Sequence, residues 1–360
     1  PKISFGWQVD DSFYFRGSWS KGFRVPNLVQ VNETIVSRQI FGVDALLCLQ
    51  QINNNGEIDY CDYSFQRVAR GSKNLRPEES TNISLGIIYE PKNIDNLVFT
   101  IDWWEIEKED TIGLFGEDNI LLSDLVLRME TNNISDCSLV QSNPYVFRDS
   151  LEENEIQEYL QAGICPAGRV TRVEEQYRNL DTRIISGFDF SARYFVNSDY
   201  GNFNFIVNIS KLEKFRQKAG NDFIELIDAQ EKGIIPEELA ITGFSDLIEK
   251  DGSPKIQANF KFLWNRGSWG LGLFGRHIGE FYETRNKLSD GRLWKVKAYN
   301  TINTFIDYNF KISGSQSNLR FGINNIADER APLASDIFGY YIDKHDNLGR
   351  SYYINFIHRY

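Results

Sequence analysis

The chain has 360 residues, 50 acidic against 39 basic, a formal net charge of −11, and a 14% aromatic share with 26 Phe, 17 Tyr and 7 Trp against one Met. No run approaches the roughly 20 consecutive apolar residues of a membrane helix, and the absence of a basic patch excludes a nucleic-acid partner. Mean hydropathy is −0.39, which does not exclude a β-barrel, because barrel strands alternate apolar-out with polar-in and their loops are hydrophilic.

From the N-terminus, Ile3–Val9 and Phe13–Phe23 read as strands joined by Asp10-Asp11-Ser12, with a long connection after them over roughly 24–80. Thr81–Glu90 places Ile83, Leu85, Ile87 and Tyr89 on one face. It pairs across Pro91–Asn96 with Leu97–Ile106, and a second long connection spans 107–180. In Asn202–Ser210, Phe203, Phe205, Val207 and Ile209 alternate with a mostly polar set, and Ser268–Arg276, Ala298–Lys311, Asn318–Asn324 and Ser351–Tyr360 continue the period of two. Strict alternation over 8–10 residues indicates strands with one apolar face. Further long connections cover 213–254, 279–296 and 327–350, whereas Asn197-Ser198-Asp199, Asn265-Arg266-Gly267 and Ser313-Gly314-Ser315 are tight turns. Eleven strands result, with short turns at one end and long, structureless loops at the other, the asymmetry of an outer-membrane barrel. Within the loops only Leu121–Glu130 and Pro236–Ala240 read as helical. The N-terminus lacks the basic and apolar regions of a signal peptide, so the chain is read as a piece of a longer protein.

Cys48, Cys61, Cys137 and Cys165 fall in pairs within the two longest loops. An even count there fits two local disulfides, Cys48–Cys61 and Cys137–Cys165, made in an oxidising compartment, although spacing alone does not fix pairing. Four free thiols or a zinc site are the alternatives. No CxxC exists and His277, His345 and His358 lie far away, so zinc is disfavoured. Between Glu107 and Leu180 there are 15 acidic and 6 basic residues, a net of −9. This is either a solvated face or an acidic mouth that disfavours strongly anionic ligands and holds divalent cations near lipopolysaccharide. No GxSxG, HExxH or P-loop is present, and the i, i+2 pair Glu105 and Glu107 is of a kind expected by chance among 50 carboxylates. No enzyme, cofactor or metal site is expected.

Trp103, Trp104, Trp264, Trp269 and Tyr308, with Trp7 and Trp19, are candidates for aromatic girdles at the two interfaces. Loop aromatics Phe41, Tyr60, Tyr145, Tyr177, Phe281, Tyr282, Phe338, Tyr340 and Tyr341 are candidates for touching a ligand, each weighed against a packing role.

Five stretches carry a specific resemblance: Ser20-Lys21-Gly22-Phe23-Arg24-Val25-Pro26-Asn27-Leu28, Asn74-Leu75-Arg76-Pro77-Glu78 (with Lys73 where a proline is usual), Ser186-Gly187-Phe188-Asp189-Phe190, Asn324-Asn325-Ile326-Ala327-Asp328-Glu329-Arg330-Ala331-Pro332 and Gly349-Arg350-Ser351-Tyr352-Tyr353. In this order they resemble the strand-to-loop signatures of TonB-dependent outer-membrane receptors, across essentially the whole chain. The resemblance implies an all-β transmembrane antiparallel barrel, with this chain supplying strands 12–22 of a 22-stranded barrel whose N-terminal plug and first strands lie elsewhere in the parent protein. It also implies partners: the TonB–ExbB–ExbD energy-transducing complex, outer-membrane lipid and lipopolysaccharide, and a scarce nutrient such as a ferric siderophore, oligosaccharide, peptide or cobalamin. The end of the chain, Tyr352, Ile354, Phe356 and Tyr360, resembles the signal read by the barrel-assembly machinery, with His358 interrupting its register. A passive porin or adhesin barrel is the alternative, and a soluble carbohydrate-binding module is a third reading that the one-sided loops oppose.

Overall fold

The computed structural model describes residues 1–32, 35–55, 61–288, 292–334 and 338–359. Eleven long strands form one antiparallel sheet in chain order: β1 (Lys2–Gln8), β2 (Phe13–Arg24), β3 (Glu78–Tyr89), β4 (Leu97–Glu109), β5 (Arg183–Ser198), β6 (Gly201–Gln217), β7 (Ile256–Arg266), β8 (Trp269–Ile278), β9 (Tyr299–Ile312), β10 (Ser315–Asn324) and β11 (Ser351–His358). The two-residue strand Ser245–Asp246 adds beside β6. The sheet is open, since β1 pairs only β2 and β11 pairs only β10.

The five tight turns lie at one end. Asp10 Oδ1 accepts from the amides of Ser12 and Phe13, and Ser313 and Gly314 both take positive φ (50° and 86°), as a two-residue hairpin turn matched to strand twist requires.

Register makes the alternation continuous across the sheet. Trp7, Phe15, Ile87, Ile101, Phe190 and Ile209 face one another in one row. Farther along, Tyr194, Phe205, Phe262 and Leu273 form a second row, and Trp264, Leu271, Ile306, Phe321 and Ile354 a third. These side chains are unusually open for their size, with Leu85 50% and Ile101 49% exposed. Most of the large apolar side chains of the wall stand on this face and are left open, while Ile88, Ile106, Phe274 and Phe305 stand on the other.

The opposite face is polar and hydrogen-bonded. Arg16 makes a two-pronged ion pair with Asp102 (2.9 and 2.6 Å) across Gly86, which sits between them in register. A Cβ at Gly86 would lie 2.0 Å from Asp102 Oδ1, so only glycine leaves room for the bridge. Ser191, Asn208 and Asn259 form a ladder (2.9 Å each), and Arg320 joins Asp307 at 2.7 Å while stacking 3.7 Å above Phe305. At Ser186-Gly187 a β-bulge shifts the β5–β6 register, and a Cβ on Gly187 would come within 2.5 Å of the Lys211 carbonyl oxygen. That close approach accounts for the glycine in the Ser186–Phe190 stretch.

On the apolar face the aromatics gather near the tight turns: Phe13 stacks on Tyr89 at 4.7 Å and Trp269 meets Tyr308 at 4.7 Å. Trp264 donates to the Tyr200 carbonyl there (2.8 Å), and Trp7 lies against Phe15. Trp19 and Trp103 share that face, nearer the long loops. Trp104 does not. Being one residue on from Trp103, it stands on the polar face opposite Ser84 and Gly187, which removes it from any lipid-side girdle.

The long loops are not structureless. Segments 24–80, 107–180 and 213–254 fold into a compact head. Its four-stranded sheet runs Ile35–Val43, Asp62–Arg70, Val170–Gln176, Val146–Arg148, and the central pair is parallel. Of its longer helices, α1 (Ala45–Asn55), α2 (Glu117–Glu130), α3 (Glu153–Gln161) and α4 (Asn221–Glu231), α2 packs on the sheet, α1 and α4 pack against α2, and α3 packs against α1. Helix α2 extends the expected Leu121–Glu130 by a turn, with Glu117 and Asp118 at its N-terminus and Arg128 near its end, charges that suit the helix dipole. Residues 236–240 are a turn rather than a helix, because the Gln230 amide takes the Pro236 and Leu239 carbonyls. Leu46, Leu121, Leu125, Ile164, Val173 and Ile235 form the fully buried centre of the head. Cys48–Cys61 and Cys137–Cys165 are disulfide-bonded, with Cα separations of 5.2 and 5.5 Å.

Candidate functional site

A buried ionic cluster ties the head together beside its apolar core. Arg148, 6% exposed, is bidentate to Asp44 (2.9 and 3.0 Å), reaches Asp124 (3.1 Å) and donates to the Gly168 carbonyl (3.0 Å). Asp44 precedes α1, Asp124 lies on α2 and Arg148 ends a strand, so the cluster joins the first two long loops. Burial disfavours the charged guanidinium, but the two carboxylates outweigh it and hold Arg148 above its ordinary range. Tyr63 donates to Asp44 (2.7 Å) and accepts from the Val170 amide (2.6 Å). Its burial, with Asp44 beside it, pushes the phenol up.

A cleft of about 430 Å³ opens between α2, α4 and the Val170–Gln176 strand, where the head joins the wall. Two of the sequence-derived ligand candidates, Tyr145 and Tyr177, line it together. Their positions are fixed through the backbone: the Tyr145 carbonyl accepts from the Glu174 amide (2.8 Å) and the Tyr177 amide donates to the Arg70 carbonyl (3.0 Å). Between them stand Phe115, Leu75, Asn143, Gln176 and Asn179 with the carboxylates Glu174, Glu175, Asp222 and Glu225. The cations at its edge are neutralised. Arg178 pairs with Asp222 and lies 5.0 Å above the Phe115 ring. Arg70 holds Glu174 in a fork (2.9 and 3.1 Å), which keeps that carboxyl below its usual range. Glu175, fully buried, is raised by burial despite Arg67 and the Gly116 amide. Glu174, Glu175 and Asp222 are neutralised by the same pairs, which leaves Glu225 as the excess negative charge of the described lining; with the aromatic faces and amides this suits a neutral or cationic polar ligand, and among the described residues no group here is arranged as nucleophile and base.

The other loop candidates lie elsewhere. Phe281 is fully buried, edge-on to Tyr341 (4.9 Å) and parallel to His345 (6.0 Å), so its ring is a packing anchor with no surface left for a ligand. Tyr282 donates its amide to the Glu249 carbonyl (2.7 Å) and lies under Lys295; Tyr340 is half-buried nearby. His345 completes this cluster, perpendicular to Tyr299 at 5.2 Å, with neither ring nitrogen hydrogen-bonded. Phe41 and Phe338 are exposed, and Tyr60 lies outside the described residues. Phe115, Glu174, Arg178 and Asp222 were missed by sequence reasoning, because nothing local distinguishes them from other loop residues.

At the C-terminus, Tyr352, Ile354 and Phe356 project from the apolar face, paired with Ile323, Phe321 and Leu319. His358 shares their side, is paired with Ser317 at the next position and hydrogen-bonds the Ser317 hydroxyl (2.9 Å). Tyr360 lies outside the described residues.

A family model described as TonB dependent receptor-like, beta-barrel, matches residues 1–326. A search of curated proteins finds no match to the sequence. Among solved structures, the siderophore receptor PirA from Acinetobacter baumannii is similar at 17% identity and TM-score 0.54, over 99% of this chain and 40% of that one. A variant of the ferric enterobactin receptor PfeA from Pseudomonas aeruginosa, in complex with enterobactin, is similar at 14% identity and TM-score 0.55, with 99% and 40% coverage. The chain thus spans about 40% of the length of these receptors.

Proposed function

The chain belongs to the TonB-dependent receptor β-barrel family, and from that premise we propose that it is the C-terminal half of the barrel of an outer-membrane active transporter. In this reading residues 1–360 are one barrel portion, strands 12–22 of a 22-stranded, plugged barrel. The observation that supports it best is the apolar face that runs across eleven strands, with the tight turns at one end and the folded loops at the other. The apolar face meets lipid, the polar face with its Arg16–Asp102 and Arg320–Asp307 pairs lines the lumen, the tight turns are periplasmic and the head is extracellular. Closure with the remaining strands is physically required, since each unpaired backbone group at an edge in hydrocarbon costs several kcal/mol.

The transporter performs no covalent chemistry. Its head gathers a scarce nutrient, for which the cleft at Tyr145 and Tyr177 favours a neutral or cationic compound over a strongly anionic one. A ferric siderophore, oligosaccharide, peptide or cobalamin remains the substrate range. The plug and the TonB–ExbB–ExbD complex supply gating and energy through the rest of the parent protein, and Tyr352, Ile354, Phe356 and Tyr360 direct barrel assembly. The test is uptake by a strain lacking the gene, across those substrate classes, with and without a protonophore. Loss of an energy-dependent uptake supports the reading; uptake that survives the protonophore makes the protein a passive porin or adhesin barrel.

A further inference from the structure

A recess of about 750 Å³ lies between α1 and α3, and it shares no described residue with the cleft of Tyr145 and Tyr177. Helix α1 presents Leu47, Gln50, Gln51 and Asn54 to it, the i, i+3, i+4 and i+7 stripe of one helix face. Helix α3 presents Glu155, Glu158 and Tyr159 with the same spacing. The two helices are tied together by amides, since Asn53 and Asn54 donate to the Ala162 and Glu158 carbonyls (3.0 Å each).

Two of these side chains are buried without being satisfied. Gln50 and Tyr159 are each 4% exposed. Among the described residues neither the Gln50 carboxamide nor the Tyr159 hydroxyl has a hydrogen-bond partner, and both residues line the recess. A buried polar group left unpaired costs stability, so the two together point to a partner supplied from outside the chain. Asn54 adds the carbonyl oxygen of an amide whose nitrogen is already engaged. Burial, with Asp44 near, pushes the Tyr159 phenol up, which keeps it a neutral hydroxyl. Carboxamides and hydroxyls both donate and accept, so these groups call for a ligand with donors and acceptors intermixed. Glu155 is matched by Arg169 at 3.7 Å, and Glu158 is exposed at the edge. Leu47, Leu151 and the buried Ala167 supply apolar ground between the polar points.

We propose that this recess binds a neutral oligosaccharide. Its hydroxyls exchange hydrogen bonds with the Gln50 carboxamide, the Tyr159 hydroxyl and the Asn54 carbonyl oxygen, and the C–H faces of its rings lie on Leu47, Leu151 and Ala167. A sugar hydroxyl donates and accepts at once, as the unpaired groups require, whereas a carboxylate only accepts and an ammonium only donates. The volume lies within the range of small-molecule sites. The inference rests on the head being the outward-facing part of the transporter, and it narrows the substrate range to sugars.

The test measures binding of maltotriose, cellotriose and chitotriose to the purified whole protein by titration calorimetry, in a polyoxyethylene detergent that carries no sugar. At least one should bind about tenfold more tightly than trialanine, the anionic trigalacturonate and the cationic, deacetylated form of chitotriose. Tyr159→Phe and Gln50→Met should each weaken that binding about three- to tenfold, the loss of one or two neutral hydrogen bonds. Because neither group has a partner within the protein, both variants should keep or raise the melting temperature, which a structural role would lower. Trisaccharide binding no tighter than that of the three controls, or variants that lose stability and not affinity, overturns the proposal. So does loss of binding in Tyr145→Ala with none in Tyr159→Phe, which moves the sugar to the other cleft. Binding without energy-dependent uptake leaves the recess standing and removes the transporter reading; energy-dependent uptake of the trisaccharide at the normal rate by the Gln50→Met, Tyr159→Phe double variant does the reverse.

Discussion

Replacing Arg148 with methionine should open the head without disturbing the wall. Methionine fills much of the same space but supplies no donors. Asp124 would retain Arg128 (2.9 Å) and the Asn143 amide (2.8 Å), so most of the loss falls on Asp44. That carboxylate would keep only the Tyr63 hydroxyl as a side-chain partner while remaining fully buried. Removing one partner of a buried ion pair costs about 3–5 kcal/mol. At 1.4 kcal/mol per factor of ten, the opening equilibrium of the head should rise about 10²- to 10⁴-fold. Local opening of this kind is read by hydrogen exchange. The amides of Asp62–Arg70 and Val170–Gln176, which pair in parallel across the two loops, should exchange faster by that factor, and those of β5 and β6 should not. Adding Asp44→Leu removes the stranded carboxylate and should recover most of the loss, since an apolar replacement of a whole buried pair is often neutral. A single variant within a factor of ten of the parent, or a double variant no better than the single, would refute the reasoning.

Burial, with Arg276 and Lys344 nearby, pulls the His345 imidazole down to about 4, below its ordinary 6.5. The unfolded loop therefore binds more protons between those values. Stability of the Phe281–Tyr299–His345 cluster is full above about pH 6.5 and lost as pH falls toward 4. Proteolysis of segment 338–348 should accelerate over that window, and His345→Phe should abolish the dependence. Breaking Cys48–Cys61 by substituting alanine at both positions should destabilise the head by about 3 kcal/mol, the chain-entropy value for a loop of this size; unchanged resistance to thermolysin would contradict it. On the wall, Leu85→Arg should cost about 2–4 kcal/mol if that face meets mid-membrane lipid, whereas Asn204→Arg, on the opposite face, should be tolerated. Heat-modified gel mobility of the folded barrel compares the two, and equal effects would remove the assignment of faces.

By itself the sequence determined the wall. Strand number, the five tight turns and the apolar set Ile83, Leu85, Ile87 and Tyr89 were legible because a membrane strand solves its solvation problem locally, residue by residue at a period of two. Only tertiary structure decided the head. Its core draws on three loops, and its anchor joins Arg148 to Asp44 over 104 residues of chain. Its parallel strand pair has partners from different loops. Helices of 9–14 residues in polar surroundings leave a weak periodic signal, since most helical stability comes from packing. The same holds for the ligand candidates. Tyr145 and Tyr177 share a cleft while Phe281 disappears into a core, because burial of a loop aromatic depends on which distant segments fold over it.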